Sequence, residues 1–205
     1  MAKIRLVGDI HGNIRKVGDL LDSCSDYDLT IQIGDFGAGF GTEHYLNQFD
    51  SNNFRVLFGN HDNWDTLKKY PHGLDRFGVL NFEGVKMFYV GGAWSIDQAH
   101  RTPGLSWWHT EELNIEEQDA CLELWKAECE NVDLFISHDG PINVNQAILG
   151  SMPIQNRTNV FLYEMWRHHE PPLWRFGHWH RVWEKQISLT HFRCLNIDEE
   201  EILEF

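Results

Sequence analysis

The sequence of 205 residues lacks several features that would mark particular classes of protein. It has four cysteines, Cys24, Cys121, Cys129 and Cys194, and none of them forms a CxxC pair. Neither a zinc ribbon nor a thioredoxin-like site is therefore indicated. No apolar run reaches the ~20 residues of a membrane-spanning helix, and no signal peptide precedes the first strand pattern. These absences predict a cytoplasmic protein with no membrane partner, whose thiols are free and buried.

Positive charge is also scarce. The chain has 17 Lys and Arg against 31 Asp and Glu, which gives a formal net charge of −14. Binding to nucleic-acid backbone needs a basic surface, so a nucleic-acid partner is not expected. No internal repeat and no linker rich in Pro, Gly or Ser divides the chain. We therefore expect one domain over residues 1–205, and the oligomeric state stays open.

The chain contains many short strand-like runs, and several are followed by a polar loop. The predicted strands are Ile4–Val7, Leu29–Ile33, Arg55–Phe58, Val85–Val90, Leu134–Ser137, Trp174–Phe176, Val182–Ile187, Thr190–Leu195 and Glu201–Phe205. Helices are predicted after Asn13, over residues 114–130 and over residues 159–169. This alternation predicts an α/β layered fold, and the late run of strands indicates mixed sheets.

Local signals mark two of these helices. Asn13 is the predicted N-cap of the first, with a buried stripe of Ile14, Val17, Leu20 and Leu21. Asn114 and Glu117 have the spacing of a capping box at the start of the second. The two caps indicate where each helix begins.

Five of the predicted strands end in clusters of Asp, Asn or His. The clusters are Asp9-x-His11, Gly34-Asp35, Gly59-Asn60-His61-Asp62, Ser137-His138-Asp139 and Gly177-His178-x-His180. Ligands bind beyond the carboxyl ends of strands in open α/β sheets, so the clusters could converge. Residues two apart on an extended segment point the same way, which would turn Trp179 away from the site into packing. Carboxylates, imidazoles and an amide suit divalent ions such as Mn, Fe, Zn or Co rather than a thiolate site.

Each cluster alone has a plain structural explanation, such as a turn, a capped loop or histidines on an edge strand. Together and in this order they predict a metal site. The runs DIH, GDFG, GNHD, SHDG and GHWH resemble the motifs of the calcineurin-like metallophosphoesterase superfamily, and the resemblance extends from Asp9 to His180. It implies an αββα sandwich of two mixed β-sheets flanked by helices.

The resemblance also implies roles for individual residues. One metal ion would be held by Asp9, His11, Asp35 and His180, and a second by Asp35, Asn60, His138 and His178. The cofactors implied are two divalent metal ions, with manganese favoured and Fe, Zn, Ni, Co and Mg open. A hydroxide between the ions would attack phosphorus. Asn60 and His61 would bind substrate, and His61 would protonate the leaving oxygen.

Two departures distinguish the chain from protein Ser/Thr phosphatases. Ala38 and Gly39 stand where that branch has an acid that orients the histidine and a phosphate-binding arginine, and Asp62 replaces its Glu. These differences count against a standard protein phosphatase. Either Asp62 or Asp139 could orient His61 instead.

A further segment, residues 91–97 with Arg101 and Trp107-Trp108, is similar to one in small phage and bacterial phosphoesterases. In one interpretation it forms a loop over the metal site, and Arg101 binds phosphate. In the other, Trp94, Trp107 and Trp108 pack the loop and Arg101 makes a surface ion pair. We favour packing for the tryptophans and leave Arg101 open.

The predicted function is a metal-dependent phosphoester hydrolase, with a phosphatase acting on phosphomonoesters or phosphoproteins favoured. A phosphodiesterase acting on small nucleotides or nucleic acid is the alternative within the same class. A scaffold that has kept the fold and lost catalysis is the alternative outside it. Such a scaffold would be expected to lack ligands that this chain retains.

Overall fold

The computed structural model describes residues 1–205 and contains ten strands and five α-helices. The strands are β1 Lys3–Val7, β2 Leu29–Gln32, β3 Phe54–Val56, β4 Phe77–Phe82, β5 Val85–Val90, β6 Leu134–Ser137, β7 Leu173–Phe176, β8 Trp183–Ile187, β9 Thr190–Cys194 and β10 Glu200–Glu204. The helices are α1 Ile14–Ser23, α2 Trp64–Leu67, α3 Ile115–Glu128, α4 Ile142–Leu149 and α5 Arg157–His168.

The strands form two sheets, and both are mixed. The first has the order β10-β1-β2-β3, with β10 antiparallel to β1 and the other neighbours parallel. The second has the order β4-β5-β6-β7-β9-β8, with antiparallel pairs at both edges and parallel pairs between them. The late strands β8, β9 and β10 supply antiparallel pairings of the kind that the sequence suggested.

Successive side chains of each strand point to opposite faces of its sheet, and the buried apolar side chains form three separate clusters. Ile4 of β1 and Ile136 of β6 belong to one cluster, which draws on both sheets and lies between them. Phe135, adjacent to Ile136, points to the opposite face and packs with Trp125 of α3. Val17 of α1 packs in a third cluster against the outer face of the first sheet. Helices therefore cover both outer faces, and the predicted αββα sandwich is confirmed.

The helix starts follow their capping residues. Asn13 accepts from the backbone N–H of Lys16, and Asn114 forms a capping box with Glu117, as predicted. The final helix begins at Arg157, two residues before the predicted start, because Asn156 makes a capping box with Asn159. The helix α4 was not predicted, since its N-cap is Pro141, which has no side-chain acceptor.

Two further differences concern packing. Ile14 is 58% exposed and lies outside the cluster that Val17 and Leu20 join, so the predicted stripe is wrong at its first position. The strand β4 was also missed, because as an edge strand it shows only partial burial.

All four cysteines are buried and free, as predicted. None of the helices combines the length and hydropathy that a bilayer crossing requires.

Candidate metal centre

The five polar clusters follow the carboxyl ends of β1, β2, β3, β6 and β7, and they meet at one place. Hydrogen bonds and close contacts connect all seven predicted metal ligands: Asp9, His11, Asp35, Asn60, His138, His178 and His180. Sheet topology explains the convergence, since parallel neighbours end at the same edge of a sheet. The chain thus gathers residues separated by up to 171 positions, from Asp9 to His180.

Four of these residues could hold one metal ion. Ligand atoms of Asp9, His11, Asp35 and His180 all lie within 4.8 Å of one another. His180 Nε2 is 3.0 Å from Asp9 Oδ2, and His11 Nε2 is 2.9 Å from His180 Nε2. Metal–ligand bonds of about 2.1 Å place neighbouring ligand atoms about 3.0–3.4 Å apart. The spacing of this group therefore fits a divalent cation.

A second group shares Asp35 with the first. His138 Nε2 lies 3.2 Å from Asp35 Oδ1 and 3.2 Å from Asn60 Oδ1, and His178 Nδ1 lies 3.0 Å from Asn60 Oδ1. The other Asp35 oxygen, Oδ2, is buried and has no hydrogen-bond partner. A buried carboxylate oxygen without a partner is costly unless a cation lies near it. Asp35 is therefore common to both groups of candidate ligands.

Three glycines leave room for these ligands. A Cβ atom at Gly59 would lie 2.2 Å from Asp35 Oδ1, and one at Gly177 would lie 2.3 Å from Asp9 Oδ1. One at Gly34 would lie 2.2 Å from His138 Nδ1. Any other residue at these positions would displace a ligand, so the glycines are part of the site.

The backbone at the site is left-handed rather than extended. The φ angle is 47° at His11, 60° at Asp35, 65° at His178 and 51° at His180. Non-glycine residues rarely adopt such values, and strain of this kind concentrates at functional sites. His178 and His180 do reach the same site, as expected, but the extended segment that was expected to bring them there is not present. They converge through two left-handed turns.

Opposite charges dominate the electrostatics of the buried pair Asp35 and His138. Burial alone would raise the pKa of Asp35, but the charge and hydrogen bond of His138 hold that pKa well below its ordinary value. Burial would lower the pKa of His138, and the charge of Asp35 raises it instead. His138 Nδ1 lies 3.0 Å from the carbonyl oxygen of Ile33. A ring N–H at Nδ1 would donate there and leave Nε2 facing the ligand group.

A chain of hydrogen bonds orients Asn60, and its last member was not found from the sequence. Asn60 Nδ2 donates to Ser95 Oγ over 3.0 Å, and the Ser95 hydroxyl donates to the carboxylate of Glu111. The backbone N–H of Ser95 also donates to Glu111, over 3.1 Å. Burial raises the pKa of Glu111, although its hydrogen bonds with Ser95 lower it. The chain directs Asn60 Oδ1 toward His138 and His178. No local sequence signal links Glu111 to Asn60.

His61 and Arg101 lie together at the wall of a cavity of about 360 Å³. The same cavity is lined by His11, Asp35 and Asn60. The Arg101 guanidinium contacts His61 Nε2, and it pairs with Asp97 Oδ1 at 2.7 Å. Its side chain is only 7% exposed. Arg101 therefore forms an ion pair, as one interpretation of the sequence predicted. The pair lies in the wall of the cavity, which is where the other interpretation, phosphate binding, requires Arg101 to be.

The two acids considered as partners of His61 have other roles. Asp62 accepts hydrogen bonds from the backbone N–H groups of residues 36, 37, 38 and 59, and so shapes the loop after β2. Burial and the charge of Asp35 raise its pKa to about 6. Asp139 accepts from the indole N–H of Trp179 and from Asn145. Neither carboxylate makes a hydrogen bond with His61, so neither orients it.

Trp108 packs against another aromatic ring, whereas Trp94 and Trp179 line cavities. Trp108 packs edge-on against Phe40, with ring centroids 5.5 Å apart. Trp94 and Trp179 line a second cavity beside the first, and Trp179 lines both. Trp179 packs against the core cluster of the second sheet, as expected, but it also lines the cavity of the metal centre and so does not face away from the site. The left-handed turn at His178 interrupts the alternation on which that part of the expectation rested.

The site thus combines a carboxylate common to both candidate ligand groups, paired histidines and the cationic side chain of Arg101 within an αββα sandwich. The family model described as calcineurin-like phosphoesterase matches residues 2–184. The chain therefore belongs to the calcineurin-like phosphoesterase family. None of the curated proteins matches the chain.

Solved structures share the fold at low sequence identity. A Staphylococcus aureus protein provisionally described as a 5′-nucleotidase is 13% identical, with a TM-score of 0.61, and the match covers 98% of this chain and 50% of that one. The chain thus spans half the length of that protein. The protein TT1561 of Thermus thermophilus is 10% identical, with a TM-score of 0.60 and coverage of 98% and 97%. At these identities the comparison shows the fold alone.

Proposed function

We propose that the chain is a metal-dependent phosphoester hydrolase that acts on phosphomonoesters, with two divalent cations as cofactors and manganese as the favoured metal. The observation that carries the proposal is the contact of His61 with Arg101 at the wall of a cavity that is also lined by members of both ligand groups. Cations in such a site supply Lewis acidity and lower the pKa of water. The chain's own residues must then position the phosphoryl group and supply a proton.

Seven residues would hold the cations. Asp9, His11, Asp35 and His180 would hold one, and Asp35, Asn60, His138 and His178 the other. The mixture of carboxylate, imidazole and amide donors without thiolate favours Mn, Fe, Zn, Ni, Co or Mg over softer ions.

In this proposal His61 protonates the leaving oxygen once Arg101 has moved. Burial is the largest cause that lowers the pKa of His61 to about 4; the charge of Asp35 opposes the lowering, and the charge of Arg101 contributes to it. His61 is thus neutral at pH 7 in this state, and its Nε2 accepts from Arg101. A phosphoryl group would attract Arg101 and its negative charge would raise the pKa of His61. Nε2 would then carry the proton that the leaving oxygen needs.

The charges at the rim favour a monoester over a diester. Arg101 is a permanent cation, and His61 becomes one when it acts as an acid. A phosphomonoester carries up to two negative charges, whereas a diester carries one, so this rim stabilises the monoester more. The shortage of basic residues in the whole chain speaks against a long nucleic acid as the partner.

The proposal is tested with p-nitrophenyl phosphate and bis-p-nitrophenyl phosphate, each with Mn, Fe, Ni, Co, Zn or Mg. We expect faster hydrolysis of the monoester and the highest rate with Mn. His61→Asn should lose most of the activity while the metal content, measured by elemental analysis, stays unchanged. Absence of turnover of both esters with every metal would refute the hydrolase. A clear preference for the diester would instead favour the phosphodiesterase.

A further inference from the structure

A second cavity, of about 220 Å³, opens beside the metal centre. It is lined mainly by apolar side chains, which we call the apolar subsite: Trp94, Ile96, Leu149, Met152, Ile154 and Trp179. Ile96 and Trp179 also line the cavity of the metal centre, as does His178. The two cavities are therefore adjacent and have three lining residues in common. A molecule whose phosphoryl group lies at the metal centre could extend into the apolar subsite.

The lining of the apolar subsite is uncharged and unusually exposed. No Asp, Glu, Lys or Arg contributes to it. Three of its large apolar side chains are mostly open to solvent: Ile96 at 58%, Met152 at 60% and Ile154 at 62%. Single exposed apolar residues are common, but a group of them around one concave site marks binding of an apolar ligand. The occupant should therefore be apolar and carry no charge of its own.

One wall of the apolar subsite is a flat ring held in place. The indole N–H of Trp179 donates to Asp139 Oδ1 over 2.8 Å. The same oxygen accepts from Asn145 Nδ2 at 2.9 Å, and Asp139 is fully buried. A ring fixed by a buried carboxylate loses little entropy when a ligand packs against it. Fixed indole faces favour flat aromatic ligands, which stack on them.

A further part of the lining comes from the end of α4 and the segment that follows it. Leu149 is the last residue of α4, and Gly150 ends the helix in the left-handed conformation, with φ of 68°. The chain then runs without regular structure to the N-cap of α5 and places Met152 and Ile154 along the cavity. The cavity lies below the ~300–1,000 Å³ of sites that enclose drug-sized ligands, so it suits a single ring system.

We propose that the apolar subsite binds an uncharged aromatic group on the leaving side of the phosphoester, and so selects aromatic phosphomonoesters as the substrate class. The inference rests on the proposed function for its phosphoryl group. The aromatic ring packs between Trp179 and the side chains of Met152 and Ile154. Small hydrophilic esters, such as phosphorylated polyols, leave this apolar surface in contact with water.

Non-hydrolysable phosphonates separate binding from catalysis. We would titrate the manganese-loaded protein with benzylphosphonate and with ethylphosphonate by calorimetry. The ring should improve affinity about tenfold, or about 1.4 kcal/mol. Ile154→Ser should reduce this ratio to about threefold or less. Ile115→Ser is the matched control, since Ile115 is 67% exposed and lies outside both cavities, and it should keep the full ratio.

Kinetics with benzyl phosphate and ethyl phosphate complete the test, because their leaving alkoxides are chemically similar. We expect kcat/KM to favour benzyl phosphate about tenfold in the unaltered protein and in Ile115→Ser. An affinity ratio near one, no binding of either phosphonate, or a ratio unaffected by Ile154→Ser would overturn the apolar subsite. Selective binding of benzylphosphonate without turnover of any ester would support the subsite and refute the hydrolase.

Discussion

Asn60 and Ser95 are joined by a hydrogen bond of 3.0 Å from the amide nitrogen to the hydroxyl oxygen. The Ser95 hydroxyl uses its single hydrogen to donate to Glu111, so it can only accept a hydrogen bond from Asn60. Asn60 must therefore turn its Nδ2 toward Ser95 and its Oδ1 toward His138 and His178. Partners of this kind hold a metal ligand in its binding orientation.

Ser95→Ala should weaken metal binding. Without the hydroxyl, the Asn60 amide loses the partner that distinguishes its oxygen from its nitrogen, and Glu111 keeps the backbone N–H of residue 95 but loses the hydroxyl donor. Loss of such a partner typically costs about 10–100-fold in metal affinity. Calorimetric titration of the metal-free protein with Mn measures the change. Ser25→Ala, at an exposed position away from the site, is the control. Equal affinity of Ser95→Ala and the unaltered protein would mean that the hydrogen bonds through Ser95 to Glu111 do not orient Asn60.

Arg101→Ala should raise KM for a phosphomonoester much more than it lowers kcat. The guanidinium lies in the cavity wall, and its charge-assisted hydrogen bonds to phosphoryl oxygens would contribute to substrate binding. Lost hydrogen bonds to a charged group typically cost about 1.5–3 kcal/mol, or roughly 10–150-fold. Steady-state kinetics with p-nitrophenyl phosphate measures both constants. Unchanged kinetics would limit Arg101 to its ion pair with Asp97.

The same substitution should raise the pKa of His61. The pKa is about 4 mainly because burial disfavours the imidazolium; the negative charge of Asp35 opposes this lowering, and the positive charge of Arg101 is part of it. Removing a cation favours the charged form of its neighbour, so the pKa should rise, while burial still keeps it below the ordinary histidine value. Histidine NMR titration of the metal-free protein measures the shift, and His61→Asn identifies the resonance. Arg167→Ala, which changes an exposed arginine on α5, should leave the pKa where it is.

The sequence was most informative where local chemistry determines local structure. Asn13 and Asn114 marked their helices because a capping side chain bonds within its own turn. The ligand clusters were recognisable because each follows a strand, and parallel strands bring such ends together. In these cases a short pattern carries the whole physical cause.

The remainder depends on contacts between distant segments. Glu111 stabilises Asn60 through Ser95, and no spacing along the chain relates the three residues. The position of Trp179 depends on a left-handed turn at His178 and on a hydrogen bond to Asp139, whereas strand alternation predicted the opposite direction. Side-chain partners that lie on other elements are determined by packing, which periodicity does not describe.

Asp62→Asn should destabilise the fold. Four backbone N–H groups donate to the carboxylate of Asp62, which is 1% exposed. An amide offers one oxygen in place of two and turns its own donors toward those N–H groups, which leaves buried donors unpaired. We expect a loss of about 1–3 kcal/mol for each unpaired group, seen as a lower melting temperature in calorimetry. Asp65→Asn is the control, since its side chain is 66% exposed. Equal melting temperatures for the two variants would contradict this role of Asp62.

Gly59→Ala should abolish metal binding and Gly18→Ala should stabilise the fold, although each adds a single methyl group. A Cβ atom at Gly59 would lie 2.2 Å from Asp35 Oδ1 and 2.7 Å from His138 Nε2, so these ligands must move and metal binding should be lost. Gly18 lies inside α1 with no atom within 4 Å of the added position. Alanine there should stabilise the helix by about 0.5–1 kcal/mol, which corresponds to a rise of roughly 1–4 °C in melting temperature. Manganese titration and calorimetry on both variants measure the two effects. Full manganese affinity in Gly59→Ala would show that Asp35 and His138 do not need the space that this glycine leaves.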